Sequence, residues 1–504
     1  MAAIGAVVTL FYAIFLFQGY TTFFRDSDSG WHIRIGEIIL ASGHLPHEEP
    51  FSFSRPHQPW LAWEWLSDVL TAAVHRGAGL GGVVFLYGLF IAAGVWLWFR
   101  LNWDVGGNFL VACAFASLML STCNIHWLAR PHVISWIFFL AAVRFCETLH
   151  SPPGKAQLLA AAAGAALWAN LHGSFFFAPL IPLIWAAGVW LRTLIWGSAR
   201  GTEWPAYLQI AGIAAAATFL NPYGWQLHLH VARYLLDRDL LDRIGEFQSF
   251  NFHAAGALPI TLALIVAIAG AVLSLLRGRV EHFLFSTLLV IAALRSARAL
   301  PLVALVALPL ANAAIAASLA SANGLRPGVG RLIHTFLRYC DRLRALDSNH
   351  SGFVSVIAAC LLFGLLLNTS GIASRTGFPA DQFPVAAAST LAGLPADARI
   401  FAPDKFGGYL IYRFNGTRKV FFDGRSDFYG AGFLKDYARI VQVRPGWRRL
   451  FDRFRLDYAL LPNDYSLVGV LKASGWTQVY NDATVTLLRS GGKDAPRSSG
   501  WESN

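Results

Sequence analysis

Residues 24–34 read FRDSDSGWHIR, and residues 60–68 read WLAWEWLSD. These two segments are crowded with carboxylates, imidazoles and tryptophans, whereas most of the first 370 residues are hydrophobic. The polar stretch directly follows an apolar segment that is long enough to cross a bilayer. We therefore expect the loop formed by residues 24–76 to carry the chemistry of a membrane protein, with the rest of the chain as its scaffold.

The composition of the 504-residue chain also indicates a membrane protein. Hydrophobic residues make up 56% of the chain and charged residues only 14%. A soluble protein of this size needs more charge to cover its surface. The net charge of +11 is spread over loops between apolar runs, which is typical of membrane topology rather than of nucleic-acid binding. The five cysteines lie in or beside apolar runs without metal-ligand spacing, so we interpret them as packing residues.

Repeated apolar runs predict about eleven transmembrane helices. The runs lie near residues 4–24, 79–99, 106–122, 131–149, 156–172, 174–195, 205–221, 254–276, 282–295, 299–320 and 352–371. The first run lacks the basic region and the small-residue cleavage site of a secretory signal, so we expect it to be retained as a helix.

Basic residues between the spans predict the orientation of the chain. The longest interhelical basic segment holds Arg326, Arg331, Arg338, Arg342 and Arg344. The positive-inside rule places this segment and the N-terminus in the cytoplasm, although Arg25 alone favours the opposite orientation. With the N-terminus inside, the 24–76 loop and the C-terminal part of the chain both lie on the external side.

The composition changes after Gly371, which divides a transmembrane domain (1–371) from a second domain (372–490). Short apolar segments alternate there with amphipathic ones and predict a small external α/β domain. We expect strands at 399–402, 419–422, 458–461 and 484–488, and helices at 432–442 and 446–455. The polar tail, residues 491–504, is predicted to be disordered.

The first loop is predicted to contain two amphipathic helices. Ser29 is expected to cap the first, which ends near Ser42 with Gly43 as its stop. Its apolar face, formed by Trp31, Ile35, Ile38 and Ile39, predicts that it lies in the membrane interface. Because Asp28 precedes His32 by four residues, both side chains are expected to point the same way.

The second helix is predicted over residues 60–75, with Glu64, Asp68 and His75 on one side. Glu48 and Glu49 precede it in a proline-rich link, and we interpret both as solvated acids. Asp28 differs from them because it lies at the membrane boundary beside Trp and His. Partial desolvation there tunes the pKa of a carboxyl group for work as a base.

Several short sequence words resemble those of one enzyme superfamily. They are DSDSGWH (26–32), PFSFS (50–54), WEWL (63–66), RPH (130–132), NLHG (170–173), NPYG (221–224) and FDGR (422–425). Their order over nearly the whole chain resembles a bacterial branch of the GT-C superfamily. These are integral-membrane glycosyltransferases that use polyprenyl-phosphate-linked sugars.

The resemblance implies that an Asp of the first external loop is the base or the acceptor-orienting residue. That role falls to Asp28 first and to Asp26 second, and His32 and Glu64 are the further catalytic candidates. Some members of the superfamily bind a divalent metal through an Asp-x-Asp pair, a spacing that Asp26 and Asp28 share. Two carboxylates are too few ligands to argue a site, so we assign no metal ligands and leave the need for a metal open.

Ionisable groups near apolar spans are costly, and they are usually functional or paired. We expect Arg298, Arg295 and Arg130 to hold the lipid phosphate, because the fork of an arginine binds two oxygens. An arginine that snorkels to lipid headgroups is the structural alternative for each. The other candidate substrate-binding residues are His132, Asn170, His172, Tyr223 and Glu246. For the FDGR word, a structural Asp–Arg pair and the entrance of a cavity are both open interpretations.

Together with the residues above, the resemblance implies an inverting hexosyl or pentosyl transferase in the cell envelope, on the external face of a bacterial inner membrane. Its donor is a polyprenyl-phosphate-linked sugar, and its acceptor is a lipid, a glycan or a protein. The alternatives are a transporter or flippase, a polymerase or ligase of lipid-linked sugars, and a non-catalytic scaffold. The sugar, the acceptor, the oligomeric state and any partner protein are left open by the sequence.

Overall fold

The computed structural model describes residues 1–149, 151–197, 203–322, 325–349 and 352–491. Most of these residues are helical, and the chain is a multi-pass membrane protein. Among the described residues, five helical stretches are long and apolar enough to cross a membrane, namely Trp65–Asp104, Phe109–His126, Gly173–Trp196, Ala257–Leu276 and Ala297–Ala320. Each of the eleven apolar runs contains a helix, but the predicted number of about eleven spans is not confirmed.

Helices make up most of the described part of the chain before residue 374. They are α1 (Ala2–Phe11), α2 (Gly19–Thr22), α3 (Asp28–Ser42), α4 (Trp65–Asp104), α5 (Phe109–Cys123), α6 (His132–Glu147), α7 (Lys155–Leu171), α8 (Phe177–Trp196), α9 (Trp204–Ala217), α10 (Trp225–Leu236), α11 (Arg238–Leu241), α12 (Ala257–Leu276), α13 (Val280–Arg295), α14 (Leu300–Leu302), α15 (Leu308–Ala320), α16 (Pro327–Asn349), α17 (Phe353–Leu367) and α18 (Ser370–Ala373). Their apolar faces share one large core, as expected for a bundle of membrane helices.

A small α/β unit follows these helices. Its elements are α19 (Ala388–Ala392), β1 (Ile400–Phe401), α20 (Asp404–Arg413), α21 (Ser426–Val441), α22 (Trp447–Arg453), β2 (Tyr458–Pro462), α23 (Ser466–Ala473), β3 (Thr477–Asn481) and β4 (Val485–Arg489). The strands form one sheet in the order β1-β2-β4-β3, in which β1 and β2 are parallel and the other pairs antiparallel. The domain boundary at residue 371 stays a prediction. Residues 492–504 of the predicted tail lie outside the described residues.

The strand predicted at residues 419–422 is wrong. The Val420 amide donates to the Phe51 carbonyl oxygen at 2.8 Å, and the Phe53 amide donates to Val420 at 3.0 Å. This segment therefore pairs with the first loop instead of joining the sheet. The strands predicted at 399–402, 458–461 and 484–488 are confirmed as β1, β2 and β4.

The first loop contains both of its predicted helices, α3 and the beginning of α4. The stop of α3 at Gly43 (φ 71°) is confirmed. The cap predicted at Ser29 is wrong, because the helix already begins at Asp28, whose amide donates to Asp26 Oδ1 at 2.9 Å. Helix α4 breaks at Gly79 (φ 57°, ψ −157°), a conformation that glycine adopts without strain. The break separates the loop helix from the apolar span.

Helix α3 packs against protein, and the prediction that its apolar face lies in the membrane interface is wrong. Trp31, Ile35 and Ile39 are buried in the same core as the strands of the C-terminal sheet. The backbones of α3 and α20 meet at two glycines. A methyl group added to Gly30 would lie 2.1 Å from the Gly408 carbonyl oxygen, and one added to Gly408 would lie 2.1 Å from that of Ser27. The C-terminal unit is therefore fixed directly onto the first loop.

Candidate functional site

Three carboxylates, two from the first loop and one from a distant part of the chain, converge on the guanidinium of Arg130. Its Nη1 lies 2.6 Å from Asp26 Oδ2 and 2.9 Å from Glu246 Oε1, and its Nη2 lies 3.0 Å from Asp28 Oδ2. The Asp28 side chain is 7% exposed and that of Arg130 is 14% exposed. Because solvent screens such buried charges weakly, the four groups form one electrostatic unit.

Local spacing and long-range contacts together bring these groups to one place. Asp28 is the first residue of α3, and Arg130 lies just before α6. The Ala129 amide donates to the Phe23 carbonyl oxygen at 2.9 Å, which ties the segment before Arg130 to the segment before Asp26. Glu246 lies in a single turn of 3₁₀-helix between α11 and α12. Sequence spacing accounts for the proximity of Asp26 and Asp28, whereas the other contacts depend on the fold.

Gly424 covers Asp28 from the C-terminal unit. A methyl group added to Gly424 would lie 1.9 Å from Asp28 Oδ1 and 2.9 Å from Oδ2. Any larger residue would therefore displace the carboxylate or the backbone of the FDGR segment. The sequence singles out the segment, but not this contact.

Burial and neighbouring charge set the protonation of the acids. Burial first and then the charge of Asp26 raise the pKa of Asp28 to about 8, although Arg130 opposes the rise. For Glu246, burial raises the pKa, but Arg130 and Arg298 outweigh it, so the net pKa is lowered. Asp28 therefore holds a proton near neutral pH, where Glu246 is ionised. Two carboxyl groups with separated pKa values are a feature of acid–base sites.

A second polar chain runs beside this cluster. His32 Nδ1 shares a hydrogen bond of 2.6 Å with Asp68 Oδ1, and His32 Nε2 lies 3.9 Å from Glu64 Oε2. His32 thus joins Asp68 and Glu64, and the expectation that its side chain points the same way as that of Asp28 stays a prediction. Burial, followed by the charge of Arg130, lowers the pKa of His32, so its ring is neutral.

Glu64 carries this chain towards a cavity. Its Oε1 lies 3.4 Å from Nε2 of His172, whose Nδ1 accepts a hydrogen bond from the Ser174 amide at 3.1 Å. Burial raises the pKa of Glu64 to about 7, although Arg298 and Arg130 act against the rise. Asp68 and Ser174 were not among the predicted site residues. The spacing of Asp68 four residues after Glu64 was the available signal.

The cavity has a volume of about 270 Å³ and walls that are mostly aromatic and aliphatic. Its polar lining includes Arg298, His132 and His172. Arg298 Nη1 lies 3.7 Å from Glu246 Oε2, so Glu246 lies between the two arginines Arg130 and Arg298. An apolar space with one cation in its wall is suited to a lipid that carries an anionic group.

Solved structures of other membrane proteins share the architecture of this chain. The archaeal oligosaccharyltransferase AglB from Archaeoglobus fulgidus, in complex with an inhibitory peptide and a dolichol-phosphate, matches with a TM-score of 0.55 and 12% identity over 99% of this chain and 74% of that chain. The Archaeoglobus fulgidus oligosaccharyltransferase in complex with Zn and sulfate matches with a TM-score of 0.58 and 12% identity over 92% and 68%. The chain has the GT-C fold.

The resemblance seen in the sequence words is thereby confirmed at the level of fold. The same enzyme tethered to an acceptor peptide containing the NVT sequon matches with a TM-score of 0.52 and 12% identity, over 87% of this chain and 65% of that chain. No family model matches the sequence, and no curated protein matches it. At 12% identity, the structural matches show the fold of this chain and not its chemistry.

Three of the predicted substrate-binding residues make contacts within the GT-C scaffold. Asn170 Oδ1 accepts from Trp65 Nε1 at 2.9 Å, and Asn170 Nδ2 donates to the Leu220 carbonyl oxygen at 2.9 Å. The Tyr223 hydroxyl accepts from the Ala62 amide at 3.0 Å, and His132 Nε2 bonds the His126 carbonyl oxygen at 2.8 Å. These contacts position the first loop and the cavity wall. The predicted roles in substrate binding stay predictions.

Arg295 is exposed at the end of α13 and is not part of the cavity lining. Its predicted role at the phosphate stays a prediction, while Arg298 is the arginine that faces the cavity. Among the described residues, no group of three His, Cys, Asp or Glu side chains is arranged to hold a metal ion.

The Asp–Arg pair of the FDGR segment is structural. Arg425 is 2% exposed, and its Nη2 lies 2.6 Å from both Asp423 Oδ2 and Glu49 Oε1. The interpretation of Glu49 as a solvated acid is therefore wrong, because it pairs with a residue 376 positions later in the chain. Glu48, by contrast, is exposed as predicted.

Proposed function

We propose that the chain is a membrane glycosyltransferase that moves a sugar from a polyprenyl-phosphate-linked donor to a lipid, glycan or protein acceptor. One observation carries the proposal. A buried carboxyl group, Asp28, and a cation that faces an apolar cavity, Arg298, belong to one charge network through Arg130 and Glu246. A base and a phosphate-binding group are thus held in a fixed relation, which is what transfer from a lipid phosphate requires.

The cavity supports a lipid-linked donor. Its aromatic walls, which include Trp136, Trp168 and Phe177, suit the first part of a polyprenyl chain. Arg298 lies at the polar side of this space and is the preferred partner for the phosphate, since the fork of Arg130 already contacts three carboxylates. A protein with this fold binds a dolichol-phosphate, which is consistent with a donor of this class.

Asp28 is the proposed base. The acceptor hydroxyl oxygen forms a bond to the anomeric carbon while the bond from that carbon to the phosphate oxygen breaks. The proton of the hydroxyl passes to Asp28, and the electron pair of the broken bond stays on the phosphate beside Arg298. Attack opposite the leaving group inverts the anomeric centre. A buried base with a raised pKa and a fixed cation together lower the barrier.

Glu64 and His172 are proposed to orient the sugar. His172 lines the cavity, and Glu64 lies within 3.4 Å of it, so both can present polar atoms to a donor bound there. The neutral His32 lies 3.9 Å from the other carboxylate oxygen of Glu64 and helps to position it. Replacing Glu64 or His172 should therefore affect donor binding more than it affects proton transfer.

We place this reaction on the external face of a bacterial inner membrane, with the N-terminus inside. The arginines of α16 then lie in the cytoplasm, and the first loop and the C-terminal unit lie outside. A hexose or pentose is the expected sugar.

The test uses purified protein in lipid with a panel of undecaprenyl-phosphate sugars and mixed envelope acceptors. We expect donor-dependent release of undecaprenyl phosphate by the wild type. Asp28→Asn should reduce it by about 10²- to 10⁴-fold, the usual contribution of a general base. Asp341→Asn, on the exposed surface of α16, makes the same chemical change away from the site and should have no effect.

Two outcomes favour the rival functions. Equal release by the wild type and Asp28→Asn would remove Asp28 from the mechanism and favour a polymerase or ligase that works through other residues. Movement of the lipid-linked sugar across the bilayer, without its cleavage and in both proteins, would favour a transporter or flippase.

A further inference from the structure

The cluster of three carboxylates raises the question of whether a metal ion completes it. One solved structure with the same fold is a complex with Zn and sulfate, and carboxylate oxygens are typical ligands of hard divalent cations. Asp26, Asp28 and Glu246 bring six carboxylate oxygens together. Whether a cation fits is decided by what each of these oxygens already contacts.

Arg130 uses one oxygen of each carboxylate. Asp26 Oδ2, Asp28 Oδ2 and Glu246 Oε1 all lie between 2.6 and 3.0 Å from its two terminal nitrogens. A divalent cation would need oxygens of this kind at roughly 2.0–2.6 Å. The guanidinium already lies among them, and its positive charge opposes a second cation at this depth.

The other three oxygens also have neighbours. Asp26 Oδ1 accepts from the Asp28 amide at 2.9 Å, and Glu246 Oε2 lies 3.7 Å from Arg298 Nη1. Asp28 Oδ1 faces Gly424 so closely that an added methyl group would lie 1.9 Å from it. Each of the six carboxylate oxygens in this cluster therefore already has a neighbour. The residues present therefore do not fit a divalent cation.

The charges of the cluster also balance without a metal. Asp26 and Glu246 face the two positive charges of Arg130 and Arg298. The raised pKa of Asp28 leaves that carboxyl group neutral near pH 7. A divalent cation would add two charges to a balanced, partly buried group and would have to be partly desolvated to enter.

We propose that Arg130 is a built-in cation that takes the place of a divalent metal in this site. It holds Asp26, Asp28 and Glu246 together and orients Asp28, so the chain needs no metal ion at its carboxylates. Arg130 is thus a positioning residue, because it acts through Asp28. The inference rests on the proposed function for its catalytic meaning, but its first test requires no turnover.

That test is Mn²⁺ binding to the purified protein after removal of metals with EDTA, followed by the electron paramagnetic resonance signal of free Mn²⁺. We expect no saturable site in the wild type at micromolar Mn²⁺. Arg130→Ala frees three carboxylates and leaves space between them, so it should gain a single saturable site. The double variant Arg130→Ala with Asp28→Asn should lose that site again. Arg144→Ala, which removes an arginine paired with Asp104 elsewhere, is the matched control and should gain none.

Three results would overturn the proposal. Saturable Mn²⁺ binding by the wild type that disappears in Asp28→Asn would show that the carboxylates already serve a metal. Folded Arg130→Ala without any Mn²⁺ site would show that they do not form a cation position. Loss of sugar transfer by the wild type in EDTA, with recovery when Mn²⁺ is added, would show that the protein requires a metal ion. If Arg130→Ala fails to fold, the titration of the wild type still shows whether the three carboxylates bind Mn²⁺.

If Arg130 positions Asp28, a metal ion bound in its place should restore activity. With Mn²⁺ added, Arg130→Ala should recover transfer that it lacks in EDTA, a gain that a merely structural arginine would not show. If no sugar donor is turned over by the wild type, the proposed function fails, while the Mn²⁺ titrations still report on Arg130.

Discussion

At the scale of single residues, the carboxyl group of Asp28 is held by parts of the chain that are far apart in sequence. Asp26 and Trp31 are its near neighbours, Arg130 and Glu246 come from later turns, and the backbone of Gly424 covers it. Each contact changes either the charge around the carboxyl group or its exposure. The properties of Asp28 therefore belong to the folded chain and not to the first loop alone.

The pH dependence of transfer follows from these neighbours. Burial and the charge of Asp26 raise the pKa of Asp28 to about 8, so the base is mostly protonated at neutral pH. Because only the ionised form of Asp28 accepts a proton, kcat/KM should rise about tenfold per pH unit at pH values below the pKa of Asp28. It should level off at pH values above that pKa. A profile of kcat/KM against pH, measured with saturating acceptor, checks this expectation.

Asp26→Asn provides the matching test. Removal of a negative neighbour lowers the pKa of Asp28, so the rising part of the profile should move to lower pH. A profile that stays flat through pH 8 in the wild type would contradict the assignment of Asp28 as the base.

Arg425 has a structural consequence of its own. Arg425→Met removes the partner of two buried carboxylates, Asp423 and Glu49, and leaves them unpaired. Breaking a buried pair in this way costs about 3–5 kcal/mol of the free energy of unfolding. Thermal unfolding in lipid nanodiscs should show a much lower midpoint than for Arg453→Met, which alters an exposed arginine above the Phe454 ring. Equal midpoints for the two variants would show that the pair is not needed.

At the scale of elements, two crossing helices fix the C-terminal unit onto the first loop. Helices α3 and α20 approach so closely at Gly30 and Gly408 that neither position has room for a methyl group. The FDGR segment follows α20 in the chain, so the place of Gly424 above Asp28 depends on this crossing. The crossing is therefore as important to the site as the loop itself.

Gly408→Ala tests this crossing. Its new methyl group would meet the Ser27 carbonyl oxygen, which is backbone and cannot turn aside, so α20 must shift. Overpacking of this kind costs about 1–3 kcal/mol, and the shift should also reduce transfer. Gly469→Ala in α23 places its methyl group in open space and should leave transfer unchanged and the unfolding midpoint equal or higher. If Gly408→Ala retains full transfer activity, the close approach of α3 and α20 is not needed for catalysis.

How much of these elements the sequence could predict depends on the range of the contacts. The stop of α3 at Gly43 and the strands β1, β2 and β4 follow from local pattern and were predicted. The segment around Val420 has a strand-like pattern, but its partner is the first loop, and no local signal shows this. Glu49 likewise looks solvated until its partner Arg425 is known. The candidate base was predictable from its position, whereas Gly424 above it depends on contacts that only the fold shows.

At the scale of the whole molecule, two cores are joined through the first loop. One core unites the membrane helices, and the other contains Trp31, Phe51 and Trp60 of the loop together with the strands of the C-terminal sheet. The loop therefore belongs to both units. In the proposed function, a site at this junction contacts the donor from the membrane side and the acceptor from the other side.

The predicted orientation is tested by cysteine labelling in intact cells. With the N-terminus inside, Arg449→Cys on α22 should react with a membrane-impermeant maleimide, and Arg338→Cys on α16 should react only after the membrane is opened. Both side chains are exposed, and the wild type with its native cysteines supplies the background. The reverse pattern would place the first loop and the proposed reaction on the cytoplasmic face.

The close contact between Gly424 and Asp28 also means that the candidate site is complete only after residue 424 has been made. A ribosome makes the membrane helices and all the acidic candidates long before it reaches residue 424. Until then Asp28 has its charged neighbours but no cover. On the proposed function, we therefore expect the nascent chain to insert into the bilayer before it can turn over a donor, because the site is complete only once the C-terminal unit has been made and has docked.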